Sequence, residues 1–136
     1  MATKSTKLVL KVVWEEAPDI KHKIARLITE LGFTHIASSR VFCFRSYGSS
    51  SRAKARIWSL PRIWQKALGQ EPAYCIEVLS EKFDSLKNDE QIQILIHELL
   101  HIPKNFSGTL LPHYRRRRNL SQKYFKLLKR KANKTF

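Results

Sequence analysis

The sequence contains one short motif that could do chemistry, His97-Glu98-Leu99-Leu100-His101. Residues four apart on a helix share a face, one turn apart, so the two imidazoles can bind one metal ion. Glu98 is rotated by about 100° from His97 and can reach a water on that ion without being a ligand. Zinc brings the pKa of such a water towards neutrality, and the carboxylate can take its proton as the oxygen attacks a carbonyl carbon. The motif therefore predicts zinc-dependent amide hydrolysis, with one Zn2+ per chain and Glu98 as the catalytic base.

The alternative is that both histidines are ordinary polar residues near a helix end. The sequence around them argues against this, because apolar residues occur on nearly every side of the predicted helix: Ile92, Ile94, Leu95, Ile96, Leu99 and Leu100. Burying imidazoles and a carboxylate without partners would cost on the order of several kcal/mol. A metal ion supplies the missing partner, which favours the metal site.

A catalytic zinc needs a third protein ligand and an open fourth position. His113 is the only histidine after His101, and no Asp or Glu follows Glu98. Gly108 allows a sharp reversal in the intervening segment, so we predict that His113 returns to the metal. The alternative is an exposed loop histidine. Tyr114 is a candidate hydrogen-bond donor to the oxyanion of the tetrahedral intermediate, or else a packing residue.

The elements that must position these residues can be predicted from periodicity and turn residues. A first helix is expected from Pro18 to Leu31, with Gly32 at its C-terminal cap. The motif helix should be capped by Asn88 and end before Pro103. The remaining expected elements are strands at 8–14, 38–47, 53–60 and 73–79, a short helix at 61–68 and a C-terminal helix at about 120–132. This order predicts an α+β fold in which helices pack on a small sheet.

The chain has 136 residues, enough for one domain with its own core. We expect a single domain over 1–136, with 1–6 a disordered leader and 115–136 a basic C-terminal extension. No apolar stretch is long enough to span a membrane, and the N-terminal one is too short for a signal peptide. We therefore expect a cytoplasmic monomer that does not associate with membranes.

The net charge of +15 predicts attraction to polyanions such as DNA or RNA. Its distribution is uneven, because residues 99–136 contain eleven Lys or Arg and no acid. A second basic block, 31–70, alternates with aromatic residues that could stack on bases. The candidate nucleic-acid contacts are Arg115, Arg116, Arg117, Arg118, Lys123 and Arg56. The alternative for the C-terminal block is a solvated basic surface, and the alternative for 31–70 is that Trp58 and Trp64 simply cover the sheet and its short helix.

Several segments of the chain resemble a family of metallopeptidases from phages and archaea, over roughly residues 18–115. The segments are ARIWSLP at 55–61, YCIEV at 74–78, HELLHIP at 97–103 and FSGTLLPH at 106–113. The resemblance implies a minimal zincin-like fold, with a small twisted sheet of three to four strands packed on an N-terminal helix and a buried active-site helix. It also implies zinc bound by His97, His101 and His113, with Glu98 as base.

The leading hypothesis is a zinc-dependent peptidase that hydrolyses peptide bonds of a protein or peptide substrate, with nucleic-acid-associated proteins as one substrate class. A second hypothesis is a nucleic-acid-binding protein with a structural zinc site and no peptidase activity. A third is zinc-dependent hydrolysis of another amide. Replacing Glu98 by Gln separates the first two, because only a peptidase needs the carboxylate.

Overall fold

The computed structural model describes residues 11–134. Within that range the chain forms an α+β fold with a four-stranded mixed sheet and five α-helices. The strands are β1 (Val13–Glu16), β2 (Val41–Tyr47), β3 (Ala55–Ser59) and β4 (Tyr74–Leu79). The helices are α1 (Pro18–Glu30), α2 (Arg62–Leu68), α3 (Ser80–Phe83), α4 (Asn88–Leu99) and α5 (Arg115–Lys134), and a 3-10 turn covers Ser38–Arg40. No helix among the described residues is both long and apolar enough to cross a membrane.

The strands lie in the order β1-β2-β4-β3. β4 runs parallel to β2 and antiparallel to β3, and β1 runs antiparallel to β2. Successive side chains of a strand point to opposite faces. Ala55 and Ile57 therefore face the core while Arg56 and Trp58 lie on the other face.

The inner face of the sheet is covered by α1 and α4. Both helices bury an apolar stripe in the same cluster as the strands, with Ile20, Ile24, Leu27, Leu95, Ile96 and Leu99 among its members. The expected α+β fold, with helices packed on a small sheet, is therefore confirmed. Because α4 is packed into the core, the backbone that carries His97 and Glu98 is rigidly placed.

The boundaries of the motif helix differ from the prediction. α4 ends at Leu99, so His101 lies in a tighter turn just beyond it, where the His101 amide bonds to Glu98 O at 3.1 Å. Pro103 disfavours the helical conformation of Ile102, so the helix has to end before that residue. At the other end Asn88 is the first helical residue, not the cap, and no side chain caps this terminus.

The terminal elements differ as well. α5 begins at Arg115, five residues before the predicted start at 120, because residues 115–119 contain no helix breaker and arginine is a good helix former. β1 begins at Val13, whereas the prediction placed a strand over 8–14, of which 8–10 lie outside the described residues. The predicted leader, 1–6, also lies outside them. Gly32 has the left-handed conformation expected of a cap, with φ 67°.

Candidate metal centre

The end of α4 brings the two motif histidines together. His97 Nε2 lies 3.3 Å from His101 Nε2, and the ring centroids are 4.9 Å apart. The turn after Leu99 keeps a helix-like path, because the Leu100 amide still bonds to Ile96 O at 3.1 Å. The predicted convergence of the two imidazoles is therefore present even though His101 lies outside the regular helix.

His113 returns to this site through a closed loop. The Leu111 amide donates to His101 O at 2.8 Å, and His101 Nδ1 lies 2.6 Å from Leu111 O. These reciprocal contacts join the two ends of the 101–111 segment, and His113 follows two residues later. His113 Nδ1 consequently lies 3.2 Å from His97 Nε2.

Two side chains outside the loop form hydrogen bonds to its backbone, Tyr74 from β4 and Gln65 from α2. Tyr74 Oη donates to Thr109 O and accepts from the Gly108 amide, both at 2.8 Å. Gln65 Nε2 donates to Ser107 O at 2.9 Å. Gly108 has φ 91°, and a Cβ atom there would collide with Leu60 O, so the predicted reversal requires glycine.

The ring nitrogens have the spacing that a tetrahedral metal ion needs. One ligand nitrogen from each of His97, His101 and His113 lies within 4.8 Å of the other two. Tetrahedral Zn–N bonds of about 2.0–2.1 Å place ligand nitrogens about 3.3–3.4 Å apart. The nitrogens of His97 lie 3.2 and 3.3 Å from those of His113 and His101, so the three side chains fit a zinc-sized ion.

The protonation of the histidines also suits metal binding. Leu111 O can only accept, so His101 Nδ1 carries the proton, which leaves the Nε2 lone pair of the neutral ring free. Burial is the main cause that lowers the pKa of His101, and the bond to Leu111 O partly opposes it. Burial and then the neighbouring His101 and His113 lower the pKa of His97 to about 4. Both rings are therefore neutral near pH 7.

Glu98 is buried beside these ligands, with 7% of its surface exposed. None of the described residues donates a hydrogen bond to its carboxyl group or forms an ion pair with it. Burial alone raises its pKa to about 8. A cation close by would favour the ionised form and supply the partner that the protein does not.

The candidate nucleic-acid residue Arg56 lies elsewhere, on the outer face of the sheet. Its Nε donates to Glu77 Oε1 at 2.8 Å and its Nη2 to Oε2 at 3.3 Å. The guanidinium also lies over the Trp58 ring, 5.1 Å from its centroid. Arg56 is thus committed to a buried carboxylate, and the structure does not bring it to the other candidates.

The C-terminal candidates begin next to the metal centre. Tyr114 is exposed and its ring lies 5.7 Å from the Arg117 guanidinium carbon, while Arg117 Nε donates to Pro112 O at 2.7 Å. Arg118 and Lys123 are exposed on α5. The side chains of Arg115 and Arg116 lie outside the described part. The catalytic role of Tyr114 and the nucleic-acid contacts stay predictions.

Three residues that position the site were not singled out from the sequence: Gln65, Tyr74 and Leu111. Tyr74 occurs in a strand-like apolar run, where an aromatic residue usually indicates packing, and Leu111 contributes only backbone atoms. A tyrosine at the start of a buried strand is a weak signal of such an anchor, because a buried hydroxyl needs a partner.

Comparison with protein families matches residues 12–130 to the family described as "Putative phage metallopeptidase". No curated protein and no solved structure matches the chain. The match extends over most of the sequence and includes the sheet, the motif helix, the histidine loop and most of α5. The chain therefore belongs to the putative phage metallopeptidase family.

Proposed function

We propose that this protein is a zinc-dependent peptidase with a minimal zincin-like fold, in which His97, His101 and His113 hold one Zn2+ and Glu98 is the general base. The observation that carries the proposal is the convergence of three imidazole nitrogens, with separations of 3.2 and 3.3 Å from His97 Nε2, beside a buried carboxylate. Imidazole ligands suit zinc, and a site with three protein ligands leaves a position open for water or substrate. Within the described residues the cluster has three members, which fits an open site.

When bound, zinc supplies Lewis acidity that lowers the pKa of water and polarises a carbonyl group. The chain's own residues supply positioning and proton transfer. The Glu98 carboxylate accepts the proton of the attacking water and passes it to the nitrogen of the leaving amine. The hydrogen bond from His101 Nδ1 to Leu111 O keeps the His101 ring in one orientation and one tautomer. Tyr74 fixes the loop that carries His113.

We extend the proposal to nucleic-acid-associated proteins as a substrate class. The support is the position of α5, which begins two residues after His113 and packs along α4. No acid follows Glu98 in the chain, so this helix carries only positive charge. A protein bound to a polyanion along α5 would be held close to the metal centre.

The second candidate, a nucleic-acid-binding protein with a structural zinc, is favoured by the same basic helix. It does not account for Glu98, because a structural site gains nothing from a buried, unpartnered carboxylate next to a ligand. Such a residue costs stability and is typical of catalytic sites.

The two candidates are separated by measuring zinc content and proteolysis for the wild type and Glu98→Gln. A peptidase binds one zinc per chain in both proteins and loses proteolysis in the variant. If purified protein digests an unstructured protein such as casein equally well with either residue, the proposed role of Glu98 is wrong. If neither protein retains zinc after dialysis, the metal site itself is wrong.

A further inference from the structure

The outward face of α5 carries a positive stripe that the proposed peptidase chemistry does not use. The inward face packs on the body through Leu120, Ser121, Tyr124, Phe125 and Leu128. With about 100° of rotation per residue, Lys123, Lys126 and Arg130 fall within about 60° of one another on the opposite side. All three side chains are exposed, and none has a hydrogen-bond or ion-pair partner among the described residues. We call these three residues the α5 stripe.

The stripe is electrostatically unfavourable in the isolated protein. Lys123 and Lys126 are three residues apart, and Lys126 and Arg130 are four apart, so each pair lies side by side on the helix surface. Like charges at these spacings repel one another and destabilise a helix. Surfaces that only need solubility mix charges of both signs, but residues 99–136 contain eleven cations and no acid. An external polyanion would relieve the repulsion.

We propose that the α5 stripe binds the phosphodiester backbone of double-stranded nucleic acid without reading its sequence. The three residues span about 10 Å along the helix axis, which equals about three phosphate-to-phosphate steps of one strand, each about 3.4 Å along the duplex axis. Long cationic side chains contact phosphates individually and carry no base preference of their own.

The aromatic side chains of α5 favour a duplex over a single strand. Tyr124 faces inward and contacts Phe33 edge-on at 4.9 Å, and Phe125 is half-buried. The stripe thus offers no aromatic platform, and binding to single strands usually relies on stacking bases on such rings. The same orientation argues against a membrane surface, because a helix that lies on lipid inserts its apolar face, and that face of α5 packs on the protein.

This proposal deepens the proposed function by naming the partner. Duplex binding itself does not depend on peptidase activity, but the delivery of a duplex-bound protein to the metal centre rests on the proposed function. α5 begins two residues after His113, and Arg117 Nε on its first turn donates to Pro112 O at 2.7 Å, so the start of the helix lies next to the candidate metal centre. The α5 stripe begins at Lys123, further along the same helix. A duplex bound along α5 would therefore pass beside the candidate metal ligands.

The test is fluorescence anisotropy with a labelled duplex of about 20 base pairs of mixed sequence, measured between about 50 and 200 mM salt. The variant Lys123→Gln/Lys126→Gln/Arg130→Gln removes the stripe. The matched control Lys54→Gln/Arg62→Gln/Lys66→Gln removes the same charges from exposed positions in or beside β3 and α2. Circular dichroism of both proteins verifies that α5 stays helical.

We expect the stripe variant to bind at least about tenfold more weakly than the control, with a slope of log affinity against log salt that is shallower by about 2.7, since each phosphate contact contributes about 0.9. A duplex of different sequence should bind equally well. Equal loss in both variants would overturn the proposal, because binding would then follow net charge alone. Stripe-dependent binding to phosphatidylcholine–phosphatidylserine vesicles but not to the duplex would overturn it in favour of a membrane.

Glu98→Gln separates this inference from the proposed function. The variant should bind the duplex as the wild type does, because Glu98 is buried away from α5's exposed face. Loss of proteolysis with unchanged binding supports both proposals. If the protein digests casein but does not bind the duplex, the proposed role of the α5 stripe is wrong and the proposed peptidase function still stands.

Discussion

Two buried glutamates, Glu77 on the outer face of the sheet and Glu98 on the motif helix, have similar burial and opposite electrostatics. Glu77 is 1% exposed and Glu98 is 7% exposed. Glu77 accepts hydrogen bonds from Arg56 and from Trp58 Nε1, the latter at 2.7 Å. Burial opposes its ionisation, but bonds from side chains including Arg56 and Trp58 outweigh burial and lower its pKa. Glu98 has no such partner, and burial raises its pKa to about 8.

The difference separates a carboxylate that holds the fold together from one that is available for chemistry. The Glu77 carboxylate is paired with Arg56 and Trp58 of the neighbouring strand, so it stabilises the sheet. Glu98 has no partner among the described residues, and the nearby nitrogens of His97, His101 and His113 contact one another at distances that suit a shared ion. Buried polar groups without partners cost the fold free energy, and such groups cluster at functional sites, where a ligand can supply the missing partner.

The largest contrast is expected in activity. Glu98→Gln should reduce proteolysis by about 100- to 10,000-fold, the range usually lost with a general base. Glu77→Gln should leave the rate per folded molecule within about twofold, because Glu77 does not touch the histidines. Steady-state hydrolysis of a quenched fluorescent peptide, corrected for the folded fraction, measures both. Comparable losses of hydrolysis rate in both variants would contradict the distinction between a catalytic Glu98 and a structural Glu77.

The order should reverse for stability. Glu77→Gln removes a buried partner of Arg56 and should lower the free energy of unfolding by about 3 kcal/mol, at the lower end of the usual cost because the Arg56 side chain is partly exposed. In metal-free protein Glu98→Gln should not destabilise, since it replaces an unpaired carboxyl group with a neutral one of the same shape. Urea unfolding of the metal-free variants at pH 7 tests this, and a Glu98→Gln protein less stable than Glu77→Gln would contradict it.

The two carboxyl groups should also affect stability in opposite pH ranges. The folded-state pKa of Glu98 in metal-free protein lies above the unfolded value of 4.5, so its contribution is complete below 4.5 and is lost as the pH rises to about 8. The loss should be about 1.4 kcal/mol per pH unit. Glu77 has a lowered pKa, so its contribution is present above its unfolded value and is lost as the pH falls.

This predicts that the stability difference between metal-free wild type and Glu98→Gln widens from pH 5 to pH 8, with the variant more stable. The difference between wild type and Glu77→Gln should instead narrow as the pH falls below 4. Urea midpoints across this range are the measurement. A difference for Glu98→Gln that is flat with pH would show that its carboxyl group is solvated in the metal-free protein.

The smallest predicted effect concerns the loop that completes the metal centre. Tyr74→Phe removes the hydroxyl that bonds to Thr109 O and the Gly108 amide. Loss of these bonds should cost about 1–2 kcal/mol of stability and weaken zinc binding, with little change in the sheet. Zinc affinity by competition with a chromogenic chelator measures the effect, with Tyr47→Phe on the exposed end of β2 as the control. Equal zinc affinity for both variants would contradict the anchoring role.

Local patterns in the sequence predict the Glu98 site on the motif helix better than they predict the Glu77 cluster of the sheet. The spacing of His97 and His101 and the apolar residues of α4 are local, so the motif helix and its burial were predictable. His113 could be chosen because the chain offers no other histidine or acid downstream. The early end of α4 at Leu99 is not visible in the spacing, although Pro103 indicates that the helix must stop nearby.

The interactions that join distant segments could not be predicted. The pairing of Glu77 with Arg56 depends on the register between β3 and β4, and a shift by one residue would place them on opposite faces. The anchor from Tyr74 to the 108–109 backbone joins residues 35 positions apart. The contact between His101 Nδ1 and Leu111 O uses a backbone carbonyl, which every residue has, so no residue type in the sequence indicates it. Such contacts follow from the tertiary fold rather than from local sequence.

The most direct test of the central claim is a crystal structure of the purified protein with anomalous data collected on both sides of the zinc absorption edge. We expect a zinc peak about 2.0–2.1 Å from His97 Nε2, His101 Nε2 and a ring nitrogen of His113, with a water in the remaining position close to Glu98. The absence of an anomalous peak between the three rings, or a fourth protein ligand that closes the site, would contradict it.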